Sequence, residues 1–489
     1  MATAERTYQN FINGKWVDAS AAERRPDQNP ADTREVLGEF PRSTVEDVRS
    51  AIDAATAALP EWRRTSGPQR SAILHKAANL LEQRASEVGE ALTLEEGKTI
   101  AEGVGEVMRG VAILRYYAGE PLRPFGENYQ ATNPTTFLYT EQVPLGVVGV
   151  ITPWNFPAAI PIWKLAPCLA YGNVAVFKPA ELTPLTAHLI VETLAEAGLP
   201  DGVLNMVQGP GSVVGNELAT NPKVNGVTFT GSAEVGKQLY RVATDRGARV
   251  QLELGGKNPL IVADDASVDQ AVELAISGAM RSTGQKCTAT SRAIVVGRIA
   301  DQFTDALVDR AKALKVGPGI DKENYMGPLV SEDARNRVME YIDIGKREGA
   351  TVLTGGEQLS GSDYDHGYFV APTIFDNMKP EMRIAQEEIF GPVIGVIRVD
   401  SIEDAIKIAN KVDYGLSASL ATRDIGRAFE FIRQIEAGIV HVNSETAGAE
   451  PHVPFGGMKD SSSYSREQGR AAMEFFTQTK TVYLDMPAG

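Results

Sequence analysis

Cys287 stands in Gly284-Gln285-Lys286-Cys287-Thr288-Ala289, with Gly284 just ahead to permit a sharp turn. A thiolate is a strong nucleophile toward a carbonyl, but a free thiol titrates near 8.5, so such a role needs surroundings that favour ionisation. The competing reading of any cysteine is a small buried hydrophobe, and Cys168, in Ala166-Pro167-Cys168-Leu169-Ala170, fits that description. Upstream, Gln251-Leu252-Glu253-Leu254-Gly255-Gly256-Lys257 sets one carboxylate in an apolar strand. Partial desolvation between two leucines raises its pKa toward the range of a general base, whereas alone it could simply face a cation. The glycines that follow allow a ligand to approach the backbone. Asn155, in Thr152-Pro153-Trp154-Asn155-Phe156-Pro157, offers uncharged amide donors suited to an oxyanion, or else serves a turn.

Two further segments suit a nucleotide. In Phe177-Lys178-Pro179-Ala180-Glu181 the Lys and Glu could hold ribose hydroxyls or phosphate, or form a surface ion pair. The segment from Gly231 to Lys237 matches a phosphate loop as Gly-x4-Gly-Lys, but Gln238 follows where a Mg-binding hydroxyl is required, which argues against ATP. A Gly231-Ser232 pair opening a helix still makes a pyrophosphate site. The histidines at 75, 188, 366, 441 and 452 lack ligand spacing, so no metal is expected.

These residues need strand ends to present them. Short apolar runs at 147–151, 174–177, 204–207, 224–229 and 250–254 alternate with helix-length segments, the rhythm of a parallel sheet with helices on both faces. The alternation restarts after residue 255, at 260–262, 267–282, 293–296 and 301–314, predicting a second α/β domain. Ahead of both, Asn13-Gly14 between short apolar runs predicts a hairpin, and helical spacing predicts helices at 45–58, 68–93 and 97–118. Stretches 123–143 and 466–486, rich in Thr, Tyr, Phe and Val, read as isolated strands that pairing between subunits would complete.

At 489 residues the chain is too long for one ordinary core. With 48 basic against 63 acidic residues and no basic run, nucleic acid is not an expected partner. Two cysteines exclude a disulfide framework, and the N-terminus lacks both an apolar leader core and an Arg-rich character. No apolar stretch long enough to span a bilayer occurs. The expected location is cytoplasmic.

The motifs PWNFP (153–157), FKPAE (177–181), FTGS (229–232), LELGGK (252–257), GQKCTA (284–289), EEIFGPV (387–393) and PFGGMK (454–459) together resemble the aldehyde dehydrogenase superfamily, in order and over nearly the whole chain. The resemblance implies a Rossmann-like cofactor domain (1–122 and 144–254), a catalytic α/β domain (255–450) and a small β bridging domain (123–143 and 466–486) serving a homodimer or homotetramer. It implies that Cys287 is the nucleophile and Glu253 the base that activates the hydrolytic water. The Asn155 side chain with the Cys287 N–H would form the oxyanion hole. Lys178 and Glu181 would hold the adenosine ribose, Gly231 and Ser232 the pyrophosphate, and Glu388 the nicotinamide ribose, with Phe390 beside its ring. Trp154, Phe156 and Trp163 would lie along the cofactor and substrate passages. Glu181 would repel a 2′-phosphate, so NAD is expected ahead of NADP.

Arg281, six residues before the nucleophile, could clamp a carboxylate or compensate a helix C-terminus. The Ser-rich tail Asp460-Ser461-Ser462-Ser463-Tyr464 replaces the Gly-rich spacing of most of the superfamily and resembles the 2-oxoglutarate semialdehyde dehydrogenases. Both features point to an aldehyde bearing a distant carboxylate, with a broad-specificity or succinic-semialdehyde type as the alternative. A CoA-acylating relative has no need of Glu253, and a non-catalytic structural role would show decay of the motifs that is not seen.

Overall fold

Asn13 (φ 52°) and Gly14 (φ 76°) both take left-handed backbone, which a two-residue hairpin turn requires and which Asn and Gly tolerate. Strands Asn10–Ile12 and Lys15–Val17 close on either side, with Phe11 opposite Trp16. The computed structural model describes residues 6–361 and 363–486. Phe11 also pairs with Met206, so the hairpin caps one edge of a seven-stranded sheet.

The remaining strands of that sheet run Arg249–Glu253, Gly226–Thr230, Val147–Ile151, Val174–Lys178 and Leu204–Met206, all parallel. The chain starts in the middle, at Val147–Ile151, builds two strands to one side and then returns to build two on the other. That reversal opens a crevice at the carboxyl ends of the strands, where ligands bind in such sheets. Four of the strands are buried at every position, because helices cover both faces.

Four helices stand where three were expected: Val45–Arg64, Gly67–Gln83, Ala85–Glu96 and Ile100–Gly119. The first continues through Pro60. The predicted 68–93 helix breaks at Arg84 (φ −95°, ψ 7°), whose guanidinium bonds Glu87 at 2.9 Å and Glu192 at 2.7 Å. Nothing in the local spacing announces that break; tertiary ion pairing fixes it.

The second sheet orders Thr351–Thr354, Thr373–Asp376, Val393–Val399, Thr290–Val296, Asn258–Val262, Ser417–Ala421 and Ile439–Val442, antiparallel only at its first pair. Separate apolar clusters fill its two faces. The chain therefore carries two doubly covered α/β layers, as the alternating pattern predicts.

The two bridging stretches differ from expectation. Strand Thr136–Pro144 pairs along its whole length with Thr477–Asp485, and Asn128–Tyr129 adds a third strand, so they find partners within the chain. Residues before 477 do not extend the strand: Ala472–Phe476 is a helix that buries Phe475 and Phe476 in the first core. Aromatic content read as strand propensity is used there for packing. Among the described residues no helix is long and apolar enough to cross a membrane.

Candidate active site

The crevice at the strand ends is a cleft of about 910 Å³ whose walls include Trp154, Asn155, Lys178, Glu181, Gly231, Ser232, Cys287, Glu388 and Phe390. Residues chosen on separate motifs thus converge on one space. Glu253, Phe156, Trp163 and Arg281 lie outside that lining.

Each wall can take part of a dinucleotide. Ser232 caps helix Ala233–Asp245 with extended backbone and no side-chain cap bond, leaving first-turn N–H groups available to an anion. Thr230 Oγ1 is buried there without a partner. A Cβ on Gly231 would come within 2.5 Å of the Phe229 ring, so glycine is dictated by space. Lys178 Nζ donates to the Pro179 carbonyl at 2.7 Å, and burial lowers its pKa to about 8 against the pull of Glu181. Arg25 reaches Glu181 at 3.8 Å and shares the cleft wall. Glu388 accepts the Gly256 N–H at 3.0 Å, and desolvation raises its pKa to about 7. Phe390 holds φ 63°, a strained conformation for an aromatic residue, with its ring edge-on to Trp154 at 5.4 Å. The cleft's shape, orphan donors and acceptors fit a nicotinamide dinucleotide.

Around Cys287, Asn258 Nδ2 donates to the Cys287 carbonyl at 2.8 Å and to the Ala289 carbonyl at 2.9 Å, fixing the loop. A side chain on Gly256 would meet that same Cys287 carbonyl at 2.5 Å, which explains the glycine. Ser282 and Thr283 hold positive φ before Gly284, and Glu102 accepts the Ser282 N–H at 2.8 Å. One N–H of the Asn155 amide goes to the Gln285 carbonyl at 2.9 Å, leaving the second free beside the nucleophile's loop. Burial, then the Glu388 and Glu253 carboxylates, push the Cys287 thiol up to about 12, with the N–H groups of Thr288 and Cys287 opposing. The surroundings of Cys287 thus favour the neutral thiol, contrary to the expectation of an environment that favours ionisation.

Glu253 lies behind the cleft wall, 2% exposed. Its Oε2 accepts the Ser462 hydroxyl at 2.5 Å, and Oε1 is buried without a partner. Burial raises its pKa well above the usual carboxylate range, Glu467 adds to this, and Ser462, Lys164 and Arg466 oppose it. Beneath it Lys164 binds Glu467 and donates to Thr228 Oγ1 at 2.9 Å, and Thr228 reaches Gln251 at 3.1 Å.

Phe156 and Trp163 flank the other side of this wall. The Lys98 ammonium sits 4.2 Å from the Phe156 ring centroid, and Trp163 packs on Phe455 at 5.2 Å. Arg281 is exposed at the end of helix Val268–Met280, beside Tyr325, with Glu445 and Glu102 in electrostatic reach. The serines of the tail do not face a substrate passage. Ser461 donates to the Gly255 carbonyl at 2.8 Å, and Ser463 accepts the Leu252 N–H at 2.9 Å, so they brace the Glu253 strand.

Lys98 and Glu106 escaped sequence reasoning. Lys98 Nζ bonds Glu106 at 2.7 Å and the Asn155 carbonyl at 2.7 Å, while Glu106 accepts the N–H groups of Ala158 and Ala159. Burial works against the Lys98 charge, but Glu106 and Glu96 overcome it and raise its pKa. Together they clamp the loop that carries Asn155. A signal existed for Glu106, which falls on the buried face of its helix with Gly103, Val107 and Gly110. Lys98 follows Glu96-Gly97 and reads as an ordinary solvated turn.

Comparison with known proteins agrees with this geometry. The aldehyde dehydrogenase family model matches residues 16–482. An alpha-ketoglutaric semialdehyde dehydrogenase of Bacillus subtilis (strain 168) is 53% identical over 482 residues, covering 99% of each chain. An alpha-ketoglutarate semialdehyde dehydrogenase of Haloferax volcanii is 50% identical over 97% of this chain and 98% of its own. Among solved structures, betaine aldehyde dehydrogenase from Staphylococcus aureus in complex with NAD+ superposes with a TM-score of 0.96 at 35% identity, covering 99% of this chain and 95% of that one. An E. coli NADP dependent enzyme superposes at 0.94 with 36% identity over 98% of each. The family model spans nearly the whole chain and the relatives match it end to end, so this chain belongs to the aldehyde dehydrogenase family and is an oxidoreductase acting on aldehydes.

Proposed function

We propose that the chain oxidises an aldehyde carrying a distant carboxylate, such as 2-oxoglutarate semialdehyde, to the corresponding acid, with Cys287 as nucleophile. The carrying observation is that Cys287 and the free Asn155 N–H share one cleft wall while Glu253, with an unpartnered oxygen, lies directly behind it. The names of the two semialdehyde relatives support the substrate class.

Attack of Cys287 Sγ on the carbonyl carbon places negative charge on its oxygen, where Asn155 Nδ2 and the Cys287 N–H would stabilise it. NAD, held by Lys178, Glu181, Gly231, Ser232 and Glu388 with Trp154 and Phe390 near its ring, supplies the hydride acceptor. The acyl group then remains on Cys287 as a thioester. Glu253 takes a proton from the water that releases the acid, and its elevated pKa makes it a stronger base than an ordinary carboxylate. Burial and the Glu388 and Glu253 carboxylates raise the Cys287 pKa, so attack requires the thiol proton to be given up to a base or solvent as the C–S bond forms.

Glu181 in the cleft wall favours NAD over NADP, while Arg25 at 3.8 Å partly offsets its charge, so the preference is one of degree. Phe156 and Trp163 would line the aldehyde's approach, and Arg281 would meet its carboxylate. A homodimer or homotetramer is supported by the open edge of strand Thr477–Asp485 and by exposed Phe137, Tyr483 and Leu484 on the same sheet. Two free cysteines suit a reducing cytoplasm.

The test is a panel of aldehydes of equal length with and without a terminal carboxylate, read as kcat/KM. A preference of tenfold or more for the carboxylated members is expected. Arg281→Ala should raise KM about tenfold for them and leave the uncharged aldehyde nearly unchanged, the scale of one charge-assisted pair. An equal effect on both would remove the clamp.

A further inference from the structure

Ser462 is the one tail residue whose side chain touches a member of the reacting set. Its Oγ accepts the Gly457 N–H at 2.6 Å and donates to Glu253 Oε2 at 2.5 Å. The backbone donor takes an oxygen lone pair and leaves the hydroxyl proton directed at the carboxylate. An antiparallel bridge between Glu253 and Ser462 sets the register of the two residues. Leu254 N–H to Ser461 O at 2.8 Å and Ser463 N–H to Leu252 O at 3.0 Å secure it on either side. The contact is therefore built by backbone, not by chance rotamers.

We propose that Ser462 is a positioning residue for Glu253, fixing its carboxylate behind the cleft wall and favouring the anion that serves as the base for thioester hydrolysis. This rests on the reading of Glu253 as that base. The tail residue matters because the rest of the environment opposes the charge. Burial and Glu467 disfavour the anion, and Cys287 lies within the reach of the same field; Lys164 from helix Ala159–Ala170 and Arg466 from the tail favour it. Lys164 is already engaged by Glu467. Ser462 is the direct hydrogen-bond donor to Glu253, while Oε1 remains without one and so is free to receive a proton from water.

The full-length oligomer would be tested as wild type, Ser462→Ala and Ser462→Thr. Rapid-quench measurement of reduced cofactor and of acyl-Cys287 by intact mass spectrometry separates acylation from hydrolysis, and thermal melting monitors folding. For Ser462→Ala the burst amplitude should persist. The post-burst rate should fall severalfold near neutral pH, and the acidic limb of its pH profile should move up by about one unit, as expected on losing a hydrogen bond to the charged form. Ser462→Thr, which keeps the hydroxyl, should restore both. An unmoved limb in Ser462→Ala, or a limb moved equally in Ser462→Thr, would overturn the proposal and leave the residue a strand brace, visible only as a lower melting temperature. Absence of any acyl-Cys287 in the wild type would instead overturn the proposed chemistry itself.

Discussion

The two sides of the wall that carries Cys287 are built on opposite plans. In front, the cleft of about 910 Å³ is edged by glycines, a helix N-terminus and separate charges, Lys178, Glu181 and Glu388, each held by backbone or by a single partner. Behind, Lys164, Glu467, Thr228 and Gln251 form a buried hydrogen-bonded cluster, and the Glu253–Ser462 pair lies in electrostatic reach of its Glu467 and Lys164. Open space with unspent donors awaits a ligand, whereas a closed network fixes protonation states in advance. On the proposed mechanism, attack would belong to the first region and proton transfer to the second, with Cys287 between them.

Substitutions on either side should therefore fail differently. Behind the wall, Glu253→Gln should retain a single acylation but slow acid release by about 10²- to 10⁴-fold, the usual weight of a general base, with acyl-Cys287 accumulating in mass spectra. If the burst itself vanished, the division between the two regions would break. In front, Asn155→Ala should slow acylation by about 10²- to 10³-fold without accumulation of the thioester, followed by stopped-flow.

Cofactor affinity should carry its own pH signature. Glu388 must be ionised to accept hydroxyl hydrogen bonds, and its pKa is raised to about 7, so protonation on acidification removes an acceptor. Titration calorimetry should show NAD binding weakening up to about tenfold per pH unit below that value, and Glu388→Gln should bind weakly but with a flat profile. A further effect is expected on Cys287 itself. With its pKa pushed up to about 12, ligand-free protein should be alkylated by iodoacetamide more slowly than a free thiol at neutral pH, and filling the cleft with NAD should change that rate.

The front of the site was legible in the sequence because its residues sit at strand ends, where apolar runs stop and glycines begin. Trp154, Asn155, Lys178 and Ser232 each lie at or just past such a boundary, and the parallel topology brings the boundaries to one edge of the molecule, whereas Glu388 lies between helix Arg383–Gln386 and strand Val393–Val399. The back was much less so. Glu467 and Lys164 read as ordinary surface charges in an Arg-Glu-Gln run and an Ala-rich helix, and only folding buries them against each other. Ser461, Ser462 and Ser463 were conspicuous as a composition, yet their use as strand-bracing groups depends on a register set between segments about two hundred residues apart. The break at Arg84 has the same origin, since its partner Glu192 lies on another helix. Periodicity records local burial; it does not record which distant charge will arrive.

The pairing of Thr136–Pro144 with Thr477–Asp485 has a consequence for how the protein is made. During synthesis the first strand leaves the ribosome with its partner still more than three hundred residues away, a wait of tens of seconds at about 5–20 residues per second. Phe137 and Tyr139 would stay uncovered on an unpaired edge throughout that interval, an invitation to wrong pairing on crowded polysomes. The same late arrival governs chemistry: a nascent chain already containing Cys287 and Glu253 lacks Ser462 and Glu467 until the final few dozen residues emerge. The hydrogen bond to Glu253 and the ion pair of Lys164 can therefore form only after the C-terminal segment has joined the core.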